Sequence, residues 1–105
     1  MIEINPSNFE EFVLNSNKLS LLKFYMPDCP PCKTLDQIIL ELAPEFENDV
    51  NFLQLDATLP SNEPIVFQFK ILNVPQILFF KNGNKVDHTL FTNKEKLAKM
   101  IEKWK

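Results

Sequence analysis

Nowhere in its 105 residues does the chain carry a run of basic side chains: 11 Lys and Arg are interspersed with 14 Asp and Glu, for a net charge of −3. A nucleic-acid surface needs a positive stripe to displace counterions, which excludes that class of partner. An acidic chain, with a pI of about 5.1, is also a poor ligand for an anionic membrane. Hydrophobic runs are short as well. The longest, Ile77–Phe80, has four residues, against the ~18 needed to span a bilayer. The amino terminus MIEINPSNF has neither the basic nor the apolar stretch of a secretion signal. These absences point to a cytoplasmic protein with no membrane partner. Repeats, low-complexity segments and linkers are missing too, and one glycine against eight prolines makes the chain stiff.

What is present is core material: 45% of the residues are hydrophobic and ten are Phe. At this length one domain, residues 1–105, buries somewhat more than ~60% of its unfolded surface, so no metal or disulfide is needed to hold it. Met1–Ile4 fits a short edge strand. Ser7-Asn-Phe-Glu10 has the spacing of a capping box before a helical face of Phe9, Phe12 and Val13. Leu19–Tyr25 is an apolar run with one charge, as in a buried central strand. From Pro31 the period becomes helical, with Leu35, Ile38, Ile39, Leu42 and Phe46 forming one stripe that Pro44 should bend or end. Val50–Leu55 alternates as a strand closed by Asp56, and Pro64 suits the first turn of a short helix reaching about Lys70. Gln76–Lys81 reads as a strand, Asn82-Gly83 as a hairpin turn, and Lys85–Phe91 as its antiparallel return. Thr92-Asn-Lys-Glu95 opens a last helix whose Leu97, Ile101 and Trp104 share a core face. The order β-α-β-α-β-α-β-β-α predicts an α/β fold: a central mixed sheet flanked by helices on both faces.

Both cysteines of the chain fall within FYMPDCPPCK, at the end of the predicted central strand. Half of a zinc motif is present, but a structural site needs four ligands, and only His88, read as a surface or strand-packing residue, is left to supply one. A purely structural role is weak too, since closing so small a loop constrains the unfolded chain by only ~2 kcal/mol.

Three landmarks, together with the element order, resemble the thioredoxin family over essentially the whole chain. They are Phe24-Tyr25-x-x-x-Cys29-Pro30-Pro31-Cys32-Lys33, Val74-Pro75 after Phe69-x-Ile71, and Phe79-Phe80-Lys81-Asn82-Gly83. The resemblance implies a thioredoxin-like fold and protein thiol–disulfide exchange, mainly as a reductant, through a Cys29–Cys32 redox disulfide and with no bound cofactor or metal. It implies Cys29 as the attacking thiol, Cys32 as the resolving thiol and a cis Val74–Pro75 bond whose Val74 backbone pairs with substrate. The partners implied are disulfide-bearing proteins and a flavin-dependent NADPH reductase, met as a monomer. Physically, a cysteine where a helix begins sits by unpaired N–H groups that favour its thiolate. Pro30, pushed out of the α region by Pro31, leaves Pro31 as the expected first helical residue. With no N–H on either proline, the amides of Cys32 and Lys33 are the donors left.

This chain also departs from the family pattern. Lys23 stands where a buried Asp is usual, and is expected either as an exposed ammonium at the strand end or as a cation that lowers a cysteine pKa. Asp28 replaces Trp before the first cysteine, as a solvated loop charge or one that opposes the thiolate. Gln37 stands at the usual kink proline, Gln76 follows Pro75 in place of Thr, and no glycine occurs near Phe91-Thr92. These changes leave two alternatives open: an interaction or redox-sensing module with little turnover, and a more oxidising, oxidase- or isomerase-like exchanger.

Overall fold

In the computed structural model, which describes residues 1–90 and 92–105, five strands form one mixed sheet in the order β1-β3-β2-β4-β5. They are β1 (Ile2–Glu3), β2 (Leu19–Tyr25), β3 (Val50–Asp56), β4 (Gln76–Lys81) and β5 (Asn84–Thr89). β1, β3 and β2 are mutually parallel, β4 runs antiparallel to β2, and β5 runs antiparallel to β4. All seven residues of β2 pair with β3, and five of them also pair with β4. This central position explains why β2 is nearly continuous apolar sequence. The expected return strand reached Phe91; β5 ends at Thr89, and Phe91 lies outside the described residues.

Side chains alternate across the sheet and build two cores. On one face Leu22, Phe24, Leu53, Leu55, Leu78 and Phe80 meet a short helical turn (Glu10–Leu14) and α2 (Glu63–Gln68). There Phe9, Phe69 and Phe80 stack edgewise or tilted, with ring centroids 5.4–6.4 Å apart. On the other face Leu19, Leu21, Ile77 and Phe79 meet the predicted stripe of α1 (Pro30–Phe46) and Leu97 and Ile101 of α3 (Lys94–Trp104).

Both expected capping boxes are displaced. The Asn8 carboxamide accepts from the Asn5 N–H, and Asn5 Oδ1 accepts from the Ser7 N–H and hydroxyl, so two Asn side chains do the work assigned to Ser7 and Glu10. At α3 the cap is Asn93, whose Oδ1 accepts from the Lys96 N–H at 2.9 Å, while Thr92 is buried. α1 does not end at Pro44 but continues to Phe46. It also begins one residue earlier than expected, at Pro30. Two prolines fit its first two positions because neither N–H would find an intrahelical acceptor there.

The hairpin requires its glycine. Asn82 and Gly83 both adopt positive φ (53° and 81°), and a Cβ on Gly83 would lie 2.8 Å from the Leu14 carbonyl oxygen. Gly83→Ala should therefore cost about 1–2 kcal/mol from the backbone conformation alone, read as a lower denaturation midpoint in urea.

Trp104 is half-buried, as a core residue with a polar handle: its indole N–H donates to Asp87 Oδ2 at 2.9 Å. That bond, with the His88 N–H, holds the Asp87 carboxyl below its ordinary pKa. A lowered carboxylate pKa contributes stability that is complete above the unfolded value, ~3.9, and is lost as pH falls through the folded value. Trp104→Phe should lose about 1 kcal/mol at pH 7, and its pH-dependent part should begin to fade as pH falls below about 4 and be gone below the folded pKa, as followed by thermal melts.

Candidate active site

β2 delivers the chain to the carboxyl edge of the sheet, and α1 starts there. Cys29 is the N-cap of α1: its backbone is extended (φ −142°, ψ 97°), and its Sγ accepts from the Cys32 N–H at 3.2 Å. Cys29 and Cys32 are joined by a disulfide, with Cα atoms 5.2 Å apart and each residue only 3% exposed. Of the two amides expected to face Cys29 sulfur, only that of Cys32 does so. The Lys33 N–H instead donates to the Cys29 carbonyl at 3.1 Å, closing the first helical turn. Pro30, Pro31, Asp28 and the Lys33 side chain are exposed around the disulfide.

The Val74–Pro75 peptide bond is cis, with Pro75 buried and Val74 partly so. Pro31, Asn73, Val74, Pro75 and Leu90 line a shallow cleft of about 300 Å³, so the CxxC loop and the cis-proline loop, 46 residues apart in Cys29 and Pro75, face one opening. A second hollow of about 430 Å³ shares Asn73 and Val74 and is otherwise lined largely by Met26, Val66, Ile71 and Leu72. Leu72 is 92% exposed at its rim. Asn73, Leu72 and Leu90 went unnoticed in sequence because loop residues carry no periodicity to mark them.

Lys23 is not an exposed ammonium at the strand end. It is 1% exposed, and its ammonium forms an ion pair with Asp36 of α1. The register explains this. Lys23 lies on the face of β2 that also carries Leu19 and Leu21, and α1 runs back across that face. Asp36, four residues after Cys32 and therefore on the same side of the helix, reaches down to the Lys23 ammonium. That ammonium also sits 4.9 Å from the centre of the Tyr25 ring. The Tyr25 hydroxyl donates to the Glu3 carboxylate (2.9 and 3.1 Å), which also accepts from Gln54 Nε2 at 2.9 Å. Burial first, then the Glu3 carboxylate, hold the Tyr25 phenol well above its ordinary pKa. Asp36 is the ion-pair partner of Lys23 that sequence reasoning missed; an acid one turn beyond the second cysteine, opposite an unexplained strand lysine, was the available signal.

A dithiol–disulfide pair at the N-terminus of a helix, on the carboxyl edge of a β1-β3-β2-β4-β5 sheet and beside a cis-proline, defines a protein thiol–disulfide oxidoreductase. The comparisons with known proteins agree. The family model for thioredoxin matches residues 1–103. The chain is 31% identical over 104 residues to a thioredoxin of Staphylococcus saprophyticus (98% of this chain, 96% of that protein). It is 36% identical over 86 residues to a thioredoxin of Haemophilus influenzae (82% and 78%), and 33% identical over 103 residues to a chloroplastic M-type thioredoxin of Spinacia oleracea (97% and 56%). The chain belongs to the thioredoxin family. The Cys29–Cys32 disulfide is its redox centre, and the family needs no bound cofactor. Membership also implies disulfide-bearing protein substrates and a reductase that restores the dithiol. No helix among the described residues is long and apolar enough to cross a membrane.

Proposed function

We propose that the chain works as a single-domain, monomeric, cytoplasmic disulfide reductant in which Cys29 attacks and Cys32 resolves. The Cys29 thiolate attacks one sulfur of a substrate disulfide, forming a mixed disulfide and expelling one substrate thiolate. Cys32 then gives up its proton and attacks Cys29 Sγ, releasing the second substrate thiolate and leaving the Cys29–Cys32 disulfide. The single observation that carries the assignment is the Cys32 N–H donating to Cys29 Sγ at the helix N-terminus. It stabilises charge on Cys29 and on no other sulfur. Pro30 and Pro31 fix the loop, and Asp28 and Lys33 are the charges a partner meets at its rim. Val74 offers its backbone, next to Pro75, for pairing with an extended substrate segment. A flavin-dependent reductase drawing on NADPH is the proposed source of electrons.

The buried cation at Lys23 favours a second reading, a more oxidising exchanger, because positive charge near a thiolate stabilises the dithiol form. Equilibration of the Cys29–Cys32 pair with glutathione separates the two. A potential at or below about −250 mV supports the reductant, and one at about −200 mV or above supports the exchanger. A pair that equilibrates but never turns over a protein disulfide sinks both, in favour of a binding or sensing module.

A further inference from the structure

We propose that the Lys23–Asp36 pair is a compensated charge couple that sets how readily the Cys29–Cys32 disulfide is reduced, with Asp36 cancelling a buried cation that would otherwise make the disulfide easier to reduce. The inference rests on the reading of Cys29–Cys32 as the working redox couple.

The placement carries the argument. Asp36 follows Cys32 by one helical turn, which puts their Cβ atoms roughly 5–6 Å apart, and its carboxylate holds the Lys23 ammonium. Both charges therefore lie on the order of 10 Å or less from the dithiol sulfurs. The medium between them is protein, since Lys23 is 1% exposed, Cys29 and Cys32 are 3% exposed, and Leu35 on the same helix is fully buried. The other groups around Lys23 do not take over either role. Its register partners Gln54 on β3 and Ile77 on β4 bring no charge. On β2 itself Tyr25 presents its ring face, while its hydroxyl is turned to Glu3 of β1. Asp56, at the end of β3 opposite Tyr25, accepts from the Thr58 N–H and hydroxyl rather than from Lys23, so its charge is a background common to wild type and every variant compared below.

Reduction to the attacking form takes up two electrons and one proton, converting the disulfide to a Cys29 thiolate and a Cys32 thiol. The step thus creates one negative charge beside the couple. Lys23 favours that charge and Asp36 opposes it; as a pair they nearly cancel. A unit charge at roughly 10 Å, at an effective dielectric a little above 20 because the Asp36 side chain is 33% exposed, changes such an equilibrium by about tenfold. Each half of the couple is therefore a positioning charge of about that size, and the two have opposite signs. A pair that merely ties α1 to the sheet has no such sign rule.

The test is equilibration of wild type, Lys23→Met, Asp36→Asn and the double variant with glutathione, alongside titration of the Cys29 thiolate by its ultraviolet absorbance. Asp36→Asn keeps an oxygen for the ammonium and should make the disulfide about tenfold easier to reduce, equivalent to ~30 mV, with a lower thiolate pKa. Lys23→Met should shift both quantities by a similar amount in the opposite direction, and the double variant should return close to wild type. Single variants that move the same way, or a double variant far from wild type, overturn the proposal. So do single variants that move less than about twofold, against the tenfold expected from the charge. Should Asp36→Asn not fold, Lys23→Met and the double variant still decide it, because the opposite shift and its reversal are both required. Failure of the underlying reading is recognised separately: wild type itself would then not equilibrate as a two-electron couple.

Discussion

Cys32→Ser should stop multiple-turnover reduction of a protein disulfide, by on the order of 10³-fold or more, while its Cys29 still attacks. Loss of the second thiol removes only the step that releases the substrate, so the variant should accumulate mixed disulfides that survive non-reducing electrophoresis and disappear with excess dithiol. Cys29→Ser should turn over no better and trap nothing. The asymmetry follows from the site. Cys29, as N-cap, holds the Cys32 N–H against its sulfur, whereas Cys32 lies inside the first turn of α1. Trapping by Cys29→Ser instead would reverse the assigned roles.

The second large effect is on stability, and it too is asymmetric. Asp36→Ala leaves the Lys23 ammonium in the sheet–helix core with no counterion. Breaking a buried pair from one side costs about 3–5 kcal/mol. Because the Asp36 side chain is 33% exposed, water can reach the vacated side, and a loss of about 2–3 kcal/mol is the expectation. Lys23→Met should be far milder, within about 1 kcal/mol of wild type, since the carboxylate left behind can hydrate and a flexible apolar chain fills the lysine's volume. Paired urea denaturation curves test this directly; equal losses from the two substitutions would mean that Lys23 reaches solvent after all.

The contrast between what was legible and what was not has a physical cause. β2 and β4 were readable because strands buried on both faces leave apolar runs, β3 because its residues alternate, and α1 because its stripe repeats at the helical period. Asn82-Gly83 and Val74-Pro75 were readable because few residues tolerate those backbones. The caps misled because Ser7–Glu10 and Thr92–Glu95 match a spacing template, whereas Asn5, Asn8 and Asn93 occupy the turns and bond the free amides. Lys23 misled for a deeper reason: whether a strand lysine faces water depends on which helix residue lies above it. Its partner is 13 residues away, on an element whose register over β2 no local pattern encodes. The two hollows beside Val74 are likewise products of loop packing.

Pro44 divides α1. Having no N–H, it leaves the Leu40 carbonyl without its intrahelical donor, and Leu40, 55% exposed, is open to water at that point. In hydrogen–deuterium exchange the helix should therefore read as two segments. Amides from Lys33 to Leu42, which include the turn carrying Cys32 and Asp36, should exchange slowly with the sheet. Those of Glu45 and Phe46 should exchange faster, through openings confined to the last turn. The far end of the helix can then unravel and reclose without disturbing the turn on which the sulfur chemistry depends.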